Sequence, residues 1–479
     1  MPGVEEDVHR KRAIPMQVES DVHSAHRIGE REPNPTTIPD DRATLEPDDA
    51  DPAASRRPVK YKQTEVGKVP EGWRVVPLGN LMEFQNGFNA DRAAYGIGVP
   101  FINVLEVITK SRLTADDVPG KVAVSPAQLR AFEVRRGDVL FNRTSETQEE
   151  LALASVYQDD EPVIFGGFVI RGRPDAAQVR SEYIGYGLRA PAVRGQIIAR
   201  GQGAIRANVG QADLRKVLAP LPSLDEQEAI AAALGNADAL IAALEALIAK
   251  KRDMKKGAMQ ELLTGQRRLP GFQGTWENVS VASAASRAPN SIVGGPFGSD
   301  LVSADYQATG TPVIRGQNMG TKYVSGEFVY VSGAKAKALA ANCAQPSDLI
   351  FTQRGTLGQV AIVPRNGYPR YLVSQSQMKF AADCDRFDPV YFYYYFSSSA
   401  GQRQIVDSAI QTGVPHTNLG ILKSYRVPVP RDRDEQYAIA TVLSDIDAEL
   451  AGLEAKLSKA RDIKQGMMQA LLTGEVRLV

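Results

Sequence analysis

EQEAIAAALGNADALIAALEALIAKKRDMKKGAMQELLTGQRRLP, residues Glu226–Pro270, returns later in the chain as EQYAIATVLSDIDAELAGLEAKLSKARDIKQGMMQALLTGEVRLV, residues Glu435–Val479. The two stretches align without a gap at a constant offset of 209 residues, and 25 of the 45 aligned pairs are identical. Chance does not produce such a match, so the chain is two copies of one unit.

Each copy reads as one long helix. Apolar residues fall at Ile230, Leu234, Ala237, Ile241, Leu244 and Ile248, in steps of four and three. Ile439, Leu443, Ile446, Leu450, Leu453, Leu457 and Ala460 repeat that heptad in the second copy. Ser223 stands three residues before Glu226 and Asp432 three before Glu435, the spacing of a reciprocal helix cap. Gly265 and Gly474 suit the left-handed residue that closes a helix. An apolar stripe needs a partner, and chain order favours the other copy in an antiparallel pair. Two independent helices, each packed on its own globular domain, are the alternative.

Going outward from the helices gives the domain plan. The chain has 479 residues, too many for one ordinary core. Residues 1–57 are rich in Pro, Asp, Glu and Arg without apolar period, and read as a disordered tail. Its His9, His23 and His26 lack the Cys partners and regular spacing of a metal site. A first globular unit is expected over 58–223, the first long helix over 224–270, a second unit over 271–431 and the second helix over 432–479. Within the units, short apolar runs alternate with Pro, Gly and β-branched residues, which points to short strands in mixed α/β domains. The expected fold class is therefore α+β: two mixed α/β domains, two long helices forming an antiparallel coiled coil, and a pseudo-twofold internal repeat. GTPVIRGQNM matches GVPFINVLEV in position, and SDLIFTQRGTLGQVAIVP matches GDVLFNRTSETQEELALASVY. The middles diverge while the frame holds, as in two related domains that bind different things.

Composition narrows the function. The net charge of zero hides an acidic tail: residues 1–57 carry thirteen acids and eight bases, which leaves the remainder at +5. A mildly basic body is compatible with a nucleic-acid partner. The start MPGVEEDVHRKR lacks the apolar core of a signal peptide, and no unbroken apolar run approaches the ~20 residues of a membrane span. Only Cys343 and Cys384 occur, so a disulfide framework is not expected and a cytoplasmic location is.

Enzyme signatures are missing. The chain has no phosphate loop of the G-x-x-x-x-G-K-[ST] kind, no G-x-S-x-G, and no Asn-Pro-Pro-Tyr or Asp-Pro-Pro-Tyr string. GQGAIR at Gly201, GIGVPF and GGPFGSD each fall short of a dinucleotide fingerprint. His416 is the single histidine of the body and has no Ser or Cys elbow near it. Scattered acids and lysines leave a metal-dependent nuclease site open to inspection.

What the units do carry is polar and basic residues in loops after strand-like runs. In the first these are Asn86, Asn103, Lys110, Arg112, Asn142, Arg143, Thr144 and Ser145. In the second they are Ser299, Arg315, Gln317, Asn318, Gln353, Arg354, Thr356, Gln375, Gln377, Lys379, His416 and Thr417. Arg reads guanine edges and Asn or Gln reads adenine, while Arg, Lys, Ser and Thr also hold phosphates. Solvated loops are the plainer reading of any one of them. The strings FNRTS and FTQRGT, at matched positions, make the stronger case for DNA. The candidate DNA-binding set is Asn142, Arg143, Thr144 and Ser145 with Arg315, Gln317, Asn318, Gln353, Arg354, Thr356, Gln375, Gln377, Lys379, His416 and Thr417.

Over nearly everything after residue 58 the sequence resembles the specificity (S) subunit of Type I restriction–modification systems. The resemblance is carried by the openings PEGW…LGNL and PGFQGTW, by LPSLDEQEAI and VPRDRDEQYAI leading into the helices, by the paired LLTG ends, and by TQRGTLGQVAIV. The tail departs from the pattern, and NRTSETQEELALASV lacks the Gly of RGTLG. The resemblance implies two target-recognition domains, each reading one half of a bipartite, asymmetric double-stranded DNA target. The helices would act as spacer and as docking surface for two methyltransferase (M) subunits, with motor-nuclease (R) subunits joining that core. It implies no catalysis and no cofactor in this chain: S-adenosylmethionine would belong to the M subunits, ATP and Mg to the R subunits. The rival from another class is an intracellular coiled-coil scaffold with two protein-binding domains. Neighbouring genes for a methyltransferase and a helicase would discriminate against it.

Overall fold

A computed structural model describes residues 60–201, 207–411 and 413–478; the expected tail and its histidines lie outside these residues. The two long helices run Leu224–Leu262 and Arg433–Leu472, 39 and 40 residues. At ~1.5 Å per residue each is ~60 Å long. They lie antiparallel, since Lys251 pairs with Glu449, Arg252 with Glu454, Lys255 with Asp447, Arg461 with Glu245, and Lys464 with Asp238. Four of these are two pairs related by the 209-residue repeat: Arg252–Glu454 matches Arg461–Glu245, and Lys255–Asp447 matches Lys464–Asp238. The pairing is thus self-complementary, as a pseudo-twofold requires. Each exposed pair contributes little energy, but together they fix which turn faces which.

The helix starts differ from the expected reciprocal cap. Ser223 Oγ accepts from the Glu226 N–H at 3.3 Å, but Glu226 does not reach back. Its carboxylate is fully buried, accepting from Trp73 Nε1 at 2.9 Å and from Arg477 Nη2 at 2.7 Å. Glu435, also fully buried, is held by Arg268 in the same way, with Nη2 at 2.7 Å, while Asp432 accepts from the Asp434 N–H. A charge in the interior needs a partner more than a helix end needs a second cap. Gly265 and Gly474 close the helices with φ +73° and +72°, in the left-handed region.

The first helix is also, by length and composition, apolar enough to cross a membrane, with an 18-residue window of mean hydropathy 1.5. This differs from the expectation drawn from apolar runs, because Asn236 and Asp238 interrupt an Ala- and Leu-rich stretch. Here that stretch lies along the second helix.

The opening and closing segments of each unit pair with one another. Arg74–Pro77 runs antiparallel to Leu218–Leu221, and Trp276–Ser280 to Arg426–Pro430. The chain therefore enters and leaves each unit at one place, beside the start of the helix that follows. Beyond that frame each unit has two sheets of four or five strands, and the first adds two short two-stranded pairs, Tyr61–Thr64 with Gly67–Pro70 and Thr144–Ser145 with Ala207–Asn208. In the first, one sheet orders Met82–Asn86, Val169–Pro174, Val139–Asn142, Ala154–Tyr157 and Arg112–Leu113. Its counterpart in the second orders Ile292–Gly294, Gln377–Phe380, Leu349–Thr352 and Val360–Ile362. The other sheet is built on a parallel pair in both units, Tyr95–Ile102 with Val163–Phe165 and Thr311–Ile314 with Tyr371–Val373.

Each unit is seated on both helices. The first unit's core takes Ile230 and Leu234 from the start of the first helix, and Leu471 and Leu472 from the end of the second. The second unit's core takes Met259 and Leu262 from the end of the first helix, and Ile439 and Leu443 from the start of the second. A duplicated polar chain marks each seat. In the first unit, Arg112 donates to the Tyr186 hydroxyl, which donates to Asp238 Oδ2 at 2.6 Å; Lys464 of the second helix pairs with Asp238 at 2.5 Å. In the second, Lys322 donates to the Tyr394 hydroxyl at 3.1 Å, which donates to Asp447 Oδ2 at 2.7 Å; Lys255 of the first helix pairs with Asp447. Burial foremost, and the bond to aspartate, push both phenols well above the usual tyrosine range, so both remain donors.

Candidate nucleic-acid interface

The strand registers match the two units residue by residue along their central strands. Val169 pairs with Asn142 and Arg171 with Leu140; Gln377 pairs with Thr352 and Lys379 with Ile350. Beyond these strands, the Arg143 N–H donates to Phe168 O at 2.8 Å and Arg143 O accepts from Val209 at 3.0 Å. The Gln353 N–H donates to Ser376 O at 2.7 Å and Gln353 O accepts from Thr417 at 2.9 Å. Arg143 thus occupies the position of Gln353, and Thr144, paired with Asn208, that of Arg354, bridged to His416. The arginines of FNRTS and FTQRGT are offset by one residue. In extended chain one residue reverses the side to which a side chain points, so the two units present their guanidinium groups differently.

Five candidate residues are buried, four of them with side chains bonded internally. Asn142 donates to Thr144 O and Glu150 O, holding the loop after its strand. Asn318 accepts from the Arg315 N–H at 3.0 Å and donates to Ser325 O and Glu327 O. Gln377 accepts from the Ser374 hydroxyl. Lys379 donates to Cys343 O at 2.8 Å and lies 3.9 Å from Asp348, whose carboxyl burial pushes up against the opposing Gln345 N–H and Lys379. Thr417 is buried where its N–H meets Gln353. The first unit repeats the Lys379 arrangement with Arg171 and Arg173 around Asp138, Arg173 bonding both carboxylate oxygens at 2.8 and 2.7 Å. Buried cations paired in this way brace the sheet. Strand-like spacing put Gln377 and Lys379 among the loop candidates, and only the packing on both sheet faces shows them enclosed.

The remaining candidates are open or half-open. Arg143, Gln317, Arg354, Thr356 and Gln375 are exposed, and Thr144, Ser145, Arg315, Gln353 and His416 are partly so. Gln317 donates to Glu327 O at 3.2 Å, and His416 Nδ1 lies 3.2 Å from Val414 O. In the second unit Arg315 and Gln375 line one open groove of about 480 Å³ with Tyr306, Val302 and Ser376. Gln353 and Arg354 both bond Ser376 O through their N–H groups, which places them at the groove's edge with His416 beyond. Arg315 and Gln375, from two separate segments, thus share one groove, with the backbone of Gln353 and Arg354 running along its edge. Among the described residues, no three His, Cys, Asp or Glu side chains converge as metal ligands would. Sequence reasoning passed over Phe168 and Phe297, exposed by 65% and 77% on these same loops. The signal available was a Phe beside Gly in GGF and GPFG.

A family model for the Type I restriction modification DNA specificity domain matches residues 301–460. The chain is 23% identical over 430 residues to a putative type I restriction enzyme MjaX specificity subunit of Methanocaldococcus jannaschii, covering 87% of this chain and 97% of that protein. Its fold is similar to that of a Type I restriction–modification S subunit from M. genitalium (TM-score 0.51, 14% identity, 83% of this chain and 96% of that one). It is also similar to a chain solved in work on complex assembly and conformational transition of the type I R-M system (TM-score 0.52, 16% identity, 85% and 100%). A domain match in the second unit, an internal repeat that carries its frame into the first, and an end-to-end relative make this chain similar, over most of its length, to Type I restriction–modification specificity subunits.

Proposed function

We propose that this chain is the DNA-reading component of a Type I restriction–modification complex and that each globular unit reads one half of a bipartite, asymmetric duplex target. The observation that carries the reading is the pair of loop frames with matched register and backbone bonds but different side chains, held apart by two long helices. Matched central strands give both units the same approach to DNA, and different loops give them different half-sites. The helices set the gap and dock two M subunits, which R subunits join. The chain by itself neither methylates nor cuts DNA; S-adenosylmethionine, ATP and Mg serve the partner subunits, and the assembly works in the cytoplasm.

The test is to co-express the chain with the methyltransferase encoded beside it and map methylated positions across the host genome. A two-part motif with a fixed gap is the expected result. A continuous motif, no methylation, or methyl transfer by the purified chain alone would overturn the reading. Within that motif, Arg354→Ala should weaken recognition of one half only. If Arg354 forks onto a guanine edge the loss is ~1–3 kcal/mol, confined to sequences carrying that base. A uniform loss on all sequences, with a shallower salt dependence, would mark a phosphate contact instead.

A further inference from the structure

The chain contains fifteen phenylalanines, and thirteen are buried or partly buried. The two exposed ones, Phe168 and Phe297, fall one in each unit. They do not occupy equivalent positions. The Gly87 N–H donates to Val169 O, and the Gly295 N–H to Gln377 O, so Gly87 matches Gly295 and Asn89 matches Phe297. Phe168 matches Ser376 by the shared bonds to Arg143 and Gln353.

The two loops concerned touch in both units. A Cβ on Gly87 would meet Gly166 O at 2.1 Å, and one on Gly295 would meet Ser374 O at 2.0 Å. Each unit thus presents one paired-loop tip with one open aromatic ring, carried by the second loop in the first unit and by the first loop in the second. Around each ring stand groups suited to reading bases. Arg143 is bonded through its N–H to Phe168 O. Beside Phe297, Gln375 Nε2 donates to Gly298 O at 2.8 Å, and Arg315 lines the same groove. A phenylalanine open to water forgoes a large apolar burial. Its recurrence at the paired-loop tip of each unit, beside an exposed Arg143 in the first and the Arg315–Gln375 groove in the second, argues for a ligand that buries it there.

We infer that Phe168 and Phe297 are specificity-determining residues, each packing its ring against a thymine C5-methyl in the major groove of its unit's half-site. This rests on the recognition role proposed above. In the major groove the thymine methyl is the one apolar mark on a base edge, and it lies within reach of side chains that hydrogen-bond neighbouring edges. Exchanging the loop that carries the ring moves the methyl contact relative to the polar contacts, so two units of one frame read different sequences.

The test uses the purified methyltransferase complex and duplexes of its mapped motif in which each thymine is replaced in turn by deoxyuridine, which removes only the methyl. One replacement in each half should weaken binding about three- to fivefold, the worth of one buried methyl. Phe297→Ala should abolish the sensitivity in its half alone and Phe168→Ala in the other; melting temperatures confirm that both variants fold. Wild-type indifference to every deoxyuridine would overturn the inference. So would alanine variants that lose affinity equally on thymine and deoxyuridine DNA, the signature of a ring wedged between base steps. A wild-type complex with no preference for the mapped duplex over a scrambled one would bring down the recognition reading itself and this inference with it.

Discussion

Duplicating Gln260–Leu263 in the first long helix is expected to widen the gap between the two half-sites by one to two base pairs and to abolish methylation at the original spacing. Four residues add ~6 Å of rise at ~1.5 Å each and ~1.1 turns at ~3.6 residues per turn. The second unit therefore moves along the axis with nearly its original facing. DNA advances ~3.4 Å per base pair, which converts the added length to one or two pairs. The second helix must slip by about a turn to follow. Resisting that slip are the salt bridges between the helices, such as Arg252–Glu454 and Arg461–Glu245, at most ~1 kcal/mol each, and more strongly the seat of Leu471 and Leu472 in the first unit's core and the Arg477–Glu226 clamp, so the variant is also expected to lose stability. The half-site sequences should not change, because the loops at Arg143 and Arg354 are untouched. Genome-wide methylation mapping of the variant, co-expressed with its methyltransferase, reads gap and halves together. Full activity at the original gap would show that something other than the helices positions the units.

Arg477→Ala should cost ~2–4 kcal/mol of stability, far more than a surface arginine near a chain end normally would. Arg477 is a quarter exposed, but the Glu226 carboxylate it holds is fully buried. Removing the arginine leaves a buried charge with the Trp73 Nε1–H and the Ser223-capped helix start as its remaining company. Water can reach the gap from the arginine's open side, which is why the cost stays below that of a fully enclosed pair. Denaturant melts of Arg477→Ala, Glu226→Gln and the double variant form the check. Glu226→Gln should rescue much of the loss in the Arg477→Ala background, because it removes the stranded charge. A loss under ~0.5 kcal/mol for Arg477→Ala, or additivity of the two changes, would mean that the pair does not close the molecule. Arg268→Ala should act in the same direction on the second unit through Glu435.

These clamps connect stability with the spacing role. Arg477 follows the second helix and grips the start of the first; Arg268 follows the first and grips the start of the second. With the cores shared between helix ends, they make the two seats equivalent although only one of the junctions is a covalent continuation of the chain into the next unit.

The sequence by itself determined the repeat, the two helices and their ends, because a 45-residue match at a fixed offset and a run of four-and-three steps are properties of residue order alone. It also carried the resemblance to the specificity subunits, through motifs that are local strings. Only the tertiary structure decided which polar residues are available. Gln353 and Gln377 are the same residue type after similar runs, yet one borders an open groove and the other is enclosed between a sheet and its neighbours. It decided that Glu226 and Glu435 are buried ion-pair partners rather than reciprocal caps, since Arg477 and Trp73 reach Glu226 from 251 and 153 residues away. The one-position offset between Arg143 and Arg354 is already visible when GDVLFNR is set against SDLIFTQR; the cross-strand hydrogen bonds show that the fold keeps that register. The physical reason is the same in each case. Periodicity and capping act between residues a few positions apart, whereas burial, ion pairing and strand register act between segments that meet only in the folded chain.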